Sequence, residues 1–301
     1  MKRLSLSLFL FLSLFLTPLA VFPQGGMAPG PGTAHSTVQS EVATFITCSG
    51  ITDPTQITAV DQLVTDFKAA GIWTKMTAVY PFVGGTAATH KCNLKDARDL
   101  DAAFRIVWNG GVTHNANGIT GNGTTGYGDT KLVASTNTTL NDLHVSVYCR
   151  TVGGSADNMY EVGVFDSTAA AIHLTLKNQG ATGPTIGMSY RNDTGNAWVT
   201  KTDASAQGFW IMSRRASNDF EGYKNGVSFQ TQTNTNTGTR PTHNFYILAI
   251  NDTGNGTPDA GGFFSNRNLA FVSIGTSLTD ADATAMYTAV QAFETTLGRQ
   301  V

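Results

Sequence analysis

Two carboxylates flanking a glycosidic bond are the minimal equipment for hydrolysing it. The nearest candidates in this chain are Glu161 and Asp166, one on each side of an apolar run. Five positions apart, they point to opposite faces of a regular strand. No G-x-S-x-G elbow and no H-E-x-x-H helix occurs either, so the chain is read as non-catalytic. His90 and Cys92 make an H-x-C arrangement, half of a zinc set, but no second close pair accompanies it. Asp96, Asp99 and Asp101 could offer calcium the hard oxygens it takes. Short acids in such a run also fix turns by bonding their own backbone, and that is the stronger reading. No cofactor is assigned, with calcium alone left open. Recognition remains, and sugar binding needs aromatic faces for stacking with amides or carboxylates for hydroxyls. Tyr148, His173 and Trp210, beside Arg150, Lys177 and Arg214, fall on the polar faces of extended segments, while Asn115, Asn117, Asn122, Tyr127 and Asp129 lie in a Gly/Asn/Thr loop. Tyr148, His173, Trp210, Arg214, Asn115, Tyr127 and Asp129 are taken from these as ligand-binding residues.

Strands must position them. The plainest stretch is residues 209–229, where a large apolar run meets a turn at Ser217-Asn218-Asp219 and Asn225-Gly226 then reverses the chain. Asn-Gly between alternating apolar residues suits the tight primed turn, whose two central residues need positive φ. Residues 143–149, 160–164, 172–176 and 186–190 alternate apolar with polar, giving each one oily and one wet face. Residues 245–250 and 269–274 are apolar on both faces and belong in central positions. A further strand is expected over 103–108 with Phe104, Ile106 and Trp108 on one face, and an edge strand over 76–82 ended by Pro81. Between them and the alternating segments, 110–130 is a long loop with room for a small hairpin. Two capped helices complete the set. Asp53 and Pro54 open a stripe of Ile57, Val60, Leu63, Val64 and Phe67 closed by Gly71; Thr279 opens one of Ala285, Met286, Ala289, Val290, Phe293 and Leu297 stopped by Gly298.

The first 20 residues, Lys2-Arg3 before a Leu/Phe/Ser run, read as a secretory signal peptide, because the apolar core is too short to span a bilayer. Residues 21–39 follow as a flexible Gly/Pro leader. A secreted protein with no membrane span after signal removal is the expectation. A net charge of −2 with no basic block leaves no footprint for nucleic acid. Cys48, Cys92 and Cys149 are odd in number, so one bond among them and buried free thiols both stand open.

The order of the later parts, Arg214-Arg215, then Glu221-Gly222-Tyr223-Lys224-Asn225-Gly226-Val227, an Asn268 to Gly275 strand and a Ser277-Leu278-Thr279-Asp280-Ala281-Asp282 helix start, resembles the concanavalin A-like lectin/glucanase superfamily in its laminin-G-like form. The Asn93 to Phe104 block and the Thr279 to Val301 tail also resemble a subgroup of phage-type structural and secreted bacterial proteins of unassigned role. The resemblance covers about residues 94–297. It implies a mostly β, antiparallel two-sheet jelly-roll sandwich, here with two peripheral helices, and binding of glycans or proteins through rim loops or the concave sheet; a glycan or cell-surface polysaccharide is the partner expected here. The chain length suits one domain over 40–301 with an N-terminal helical extension. The glucanase strand E-x-D-x-x-E is absent. The competing expectation is a structural or adhesive protein that self-associates through uncharged sheet edges.

Overall fold

The computed structural model describes residues 38–152, 159–166, 170–176, 185–192, 195–203, 205–235, 238–252 and 263–301. The expected signal segment and nearly all of the Gly/Pro leader lie outside the described residues. In chain order the elements are α1 (Ser40–Ser49), α2 (Pro54–Ala69), β1 (Met76–Tyr80), α3 (Ala87–His90), β2 (Val107–Asn109), β3 (Thr113–Asn115), β4 (Gly118–Thr120), β5 (Tyr127–Val133), α4 (Ala134–Asn137), β6 (Leu143–Cys149) and β7 (Val162–Phe165). There follow β8 (Ala171–Thr175), β9 (Thr185–Asn192), β10 (Gly195–Thr202), β11 (Gly208–Ala216), β12 (Asp219–Lys224), β13 (Val227–Gln232), β14 (Asn244–Ile247), β15 (Ile250–Asn251), β16 (Asn268–Gly275) and α5 (Asp280–Thr296).

The two-sheet sandwich implied by the alternation is the fold observed. One sheet runs β13-β12-β11-β6-β16-β4-β3, with β1 also on β16; the other runs β10-β9-β8-β7-β14-β5-β2, with β15 on β7. Among the described pairings only β15 with β7 is parallel within the sheets. Val145, Val147, Trp210, Met212, Val272 and Ile274 of the first sheet meet Val162, Val164, Ile172, Leu174, Phe245 and Ile247 of the second in one apolar interior. Burying each such side chain is worth about 1.5–3 kcal/mol. The turn between β12 and β13 has Asn225 at φ 51° and Gly226 at φ 74°, as its dipeptide demands.

A third layer was not written into the strand pattern. Val60, Leu63, Val64 and Phe67 of α2 and Met286, Val290 and Phe293 of α5 pack on Tyr148, Phe209, Ile211 and Phe271, the outward residues of the first sheet. The wet face expected for β6 is therefore dry: all seven of its residues are buried. Both expected helices carry the caps their sequences predict. Asp53 accepts from the Thr55 and Gln56 amides, and Thr279 and Asp282 form a capping box.

One element is added and one expectation changes. Helix α1, SEVATFITCS, has no side-chain cap; it is held by the packing of Val42 and Phe45 and by a Cys48–Cys92 disulfide, and tertiary contacts of that kind override its weak helix propensity. The strand expected over 103–108 shrinks to β2, because Phe104 sits at φ 59° after a 3-10 turn over Asp101–Ala103.

Candidate functional site

The second sheet keeps an outward face that the described helices do not cover, and the strand alternation decides what it presents. With Ile172 and Leu174 in the interior, β8 turns Ala171 and His173 outward. By the same parity β7 presents Gly163 and Phe165, and β10 presents Trp198, since Val162, Val164 and Val199 point inward. Gly163 pairs directly with His173. A Cβ there would lie 3.0 Å from Ile250 Cγ1 and 3.2 Å from His173 Cβ, so only glycine lets Ile250 close over the sheet beside the imidazole without displacing either. Tyr160, bridged to Phe264, and Phe263 and Asp252 complete the wall of a cavity of about 210 Å³.

The rings of this cavity stand at steep angles to one another. Tyr160 meets His173 at 4.9 Å and 89°, His173 meets Trp198 at 5.3 Å and 68°, and Tyr160 meets Phe263 at 5.7 Å and 76°. His173 is buried, while Tyr160, Trp198, Asp252 and Phe263 are half-buried. Burial, and then the charge of Asp252, holds the Tyr160 phenol above its ordinary pKa, so it stays a neutral donor.

Glu161, the carboxylate first weighed for hydrolysis, lies beneath this site and is fully buried. Its side chain pairs with Arg267 at 2.8 Å and accepts from Ser265 Oγ and the Leu176 amide, while its backbone carbonyl accepts from the Leu248 amide. The four segments so tied are those that carry Tyr160, His173, Ile250 and Phe263. The strand parity expected from Tyr160 onward breaks at Glu161, which is why a polar residue turns inward and Tyr160 turns out. Asp166 instead accepts from Thr242 Oγ1.

Of the seven residues singled out from the sequence, His173 alone enters this cavity. Tyr148 lies under the helices, donating to Gln291 and accepting the Val301 amide, both at 2.9 Å. Trp210 sits between the sheets with Nε1 on the Ala206 carbonyl, and Arg214 is buried against Asn141 and the Ser217 carbonyl. The polar faces assumed for these three are covered, by helices or by the opposite sheet. Tyr127 is stacked on Tyr246 at 4.7 Å. Asp129 pairs with Lys131 and accepts from Asn244. Asn115 is exposed and fixes the β3–β4 turn by accepting the Asn117 amide. Of the supporting residues, Arg150 holds the Arg299 carbonyl, Asn122 accepts three loop amides, and Lys177 lies outside the described residues.

The metal candidates are otherwise engaged. Cys92 is in the disulfide, Asp96 pairs with Arg98, and Asp99 and Asp101 with Arg105. Among the described residues no cluster of three or more metal-ligating side chains occurs. Tyr160, Trp198, Phe263 and Asp252 are site residues that the sequence reading did not mark. Trp198 had a readable signal, since it is flanked by Ala197 and Val199 and its run follows the Asp193-Thr194-Gly195 turn residues.

No family model and no curated protein matches this chain. Solved structures do. Domain 4 of AbnA, an extracellular GH43 arabinanase from Geobacillus stearothermophilus, in complex with arabinotriose, is 18% identical, covering 70% of this chain and 98% of that one at a TM-score of 0.47. The binding domain of botulinum neurotoxin serotype D is 9% identical, covering 72% of this chain and 52% of that one at 0.51. The binding domain of botulinum neurotoxin DC in complex with rat synaptotagmin II is 10% identical, covering 73% and 53%, also at 0.51. The chain thus spans about half the length of the toxin domains. At such identities the likeness to the toxin domains is one of fold, a β-sandwich.

Proposed function

We propose that this chain is a secreted, non-catalytic glycan-binding protein of the concanavalin A-like type, and that the cavity around His173 and Trp198 is its binding site. The observation that carries the reading is the convergence of Tyr160, His173, Trp198 and Phe263 with Asp252 around one cavity on the outward side of the second sheet. Aromatic walls contribute apolar contact, and a carboxylate accepts hydroxyl protons. The solved sandwiches named as binding domains of botulinum neurotoxins agree with recognition as the role. The Cys48–Cys92 disulfide agrees with export, because such bonds persist in oxidising compartments. Self-association through sheet edges is less favoured: β10 and β13, the ends of the two sheets on one side, are bridged by the Thr200 amide on Gln230, and β2 and β3 at the other ends are three residues each, too short to template pairing.

The test is a glycan array with the wild-type chain and Trp198→Ala. A saturable signal weakened about five- to thirtyfold by the substitution is expected, since losing one aromatic wall costs on the order of 1–2 kcal/mol. A signal that Trp198→Ala leaves intact would move the site elsewhere, and no signal on any glycan would remove the function.

A further inference from the structure

Resting on the glycan-binding reading, the ring geometry goes on to select among sugars. A pyranose stacked flat needs an open ring face, whereas here Tyr160, His173 and Trp198 turn edges to faces at 89° and 68°. Together with Phe263, they form a box with mutually steep walls. A box of about 210 Å³ takes a compact group inserted end-on. Among the described wall residues the polar side-chain groups are few: the Asp252 carboxylate, the Tyr160 hydroxyl, the His173 imidazole and the Trp198 indole N–H. A bare hexose pushed inside would leave several hydroxyls without partners, each at a desolvation cost. An acetamido group needs one acceptor for its N–H and one donor for its C=O, and it presents a methyl to the aromatic walls. A carboxylate accepts at about four lone-pair sites, so Asp252 can take such an N–H in addition to its interactions within the protein.

We infer that the cavity is an acetamido pocket: the ligand is an N-acetylated amino sugar whose acetamido group enters between Tyr160, His173, Trp198 and Phe263, with the pyranose ring outside. Asp252 accepts the amide proton, and the Tyr160 hydroxyl donates to the carbonyl. The raised Tyr160 pKa, caused by burial and by Asp252, agrees with a neutral phenol facing that carboxylate.

The experiment is calorimetric titration of the full chain with N-acetylglucosamine, N-acetylgalactosamine, glucose, galactose and glucosamine. An acetamido sugar should bind at least about tenfold tighter than its parent hexose, from one buried methyl and the two hydrogen bonds of the amide. Glucosamine should follow glucose. Tyr160→Phe, which keeps the ring, should shrink the acetamido preference severalfold, and Trp198→Ala should abolish it. Equal binding of hexose and acetamido sugar, or preferred binding of the protonated amine, overturns the pocket assignment while glycan binding stands. Absence of saturable binding by any saccharide, on this panel and on the array, overturns both.

Discussion

His90 is buried with Nε2 accepting the Gly85 amide at 3.1 Å. Its proton therefore sits on Nδ1 and is donated to His114 Nδ1, 3.1 Å away. A second proton on that pair would set two N–H groups against each other. His144 is likewise buried, with Nδ1 donating to the Thr276 carbonyl at 2.6 Å and Nε2 accepting from Ser273 Oγ at 3.0 Å. Burial brings His90 down to about 3 and His144 to about 4. Both lie below the ordinary histidine value, so the unfolded chain binds protons that the native one refuses, and stability falls as pH drops below about 6.5. Each group contributes about 1.4 kcal/mol per pH unit in that window, hence about 2 kcal/mol lost per histidine between neutrality and pH 5. Glu294, raised by burial, works in the opposite sense. Urea midpoints at pH 7 and pH 5 should therefore be compared between wild type and His144→Gln, which leaves Glu294 in place. The variant should lose less on acidification, by about one proton's worth of slope, and an unchanged slope would mean that His144 is not buried neutral. At this scale the sequence was a poor guide. Its histidines, Ser146, Ser273 and Glu161 are types that do chemistry, and period-two spacing cannot tell a wet face from one covered by a helix sixty or more residues away.

Helix ends and turns were legible because their signals are local. Asp53, Thr279 and the Asn225-Gly226 pair each act within four residues, and each does in the fold what its type predicts. Helix α1 was not legible, since its anchors are Cys92, 44 positions from Cys48, and an apolar patch assembled from other elements. The β2 region failed for the same kind of reason: Phe104 takes a left-handed conformation that no residue type at that position announces. The disulfide thus fastens a helix whose N-terminus no side chain caps. Closing a loop of that length should be worth about 2–4 kcal/mol, through entropy removed from the unfolded chain. Cys149 does not compete, because burial pushes its thiol up to about 12 and keeps it from forming the exchanging thiolate. A Cys48→Ser/Cys92→Ser double variant should melt lower by several degrees, with early proteolysis in the α1 segment. A melting curve unchanged by the double substitution would show that packing of Val42 and Phe45 alone suffices.

The molecule divides its labour between its two sheets. The first is covered over its central strands by α2 and α5; the second carries the cavity around His173. Arg299 is the clearest member of the helix-covered side. Its buried guanidinium pairs with Glu294 at 2.7 Å and donates to the carbonyls of Pro81, Phe82 and Ala270. It thereby joins the tail after α5 to the end of β1 and to the central strand β16. Removing one partner of a buried pair leaves the other charge uncompensated, which costs about 3–5 kcal/mol. Arg299→Ala should therefore lower the melting temperature sharply, and Arg299→Met/Glu294→Leu should recover part of the loss because no lone charge remains. If recognition lies on the opposite sheet, the fraction of Arg299→Ala that stays folded at low temperature should hold its ligand with wild-type affinity. Trp198→Ala, half-buried near the far edge of the second sheet, should show the reverse pattern, a near-native melting curve with binding lost. Parallel loss of binding and stability in the Arg299 variant would mean that the two sheets are coupled, and that the pocket depends on the helix-covered half of the sandwich.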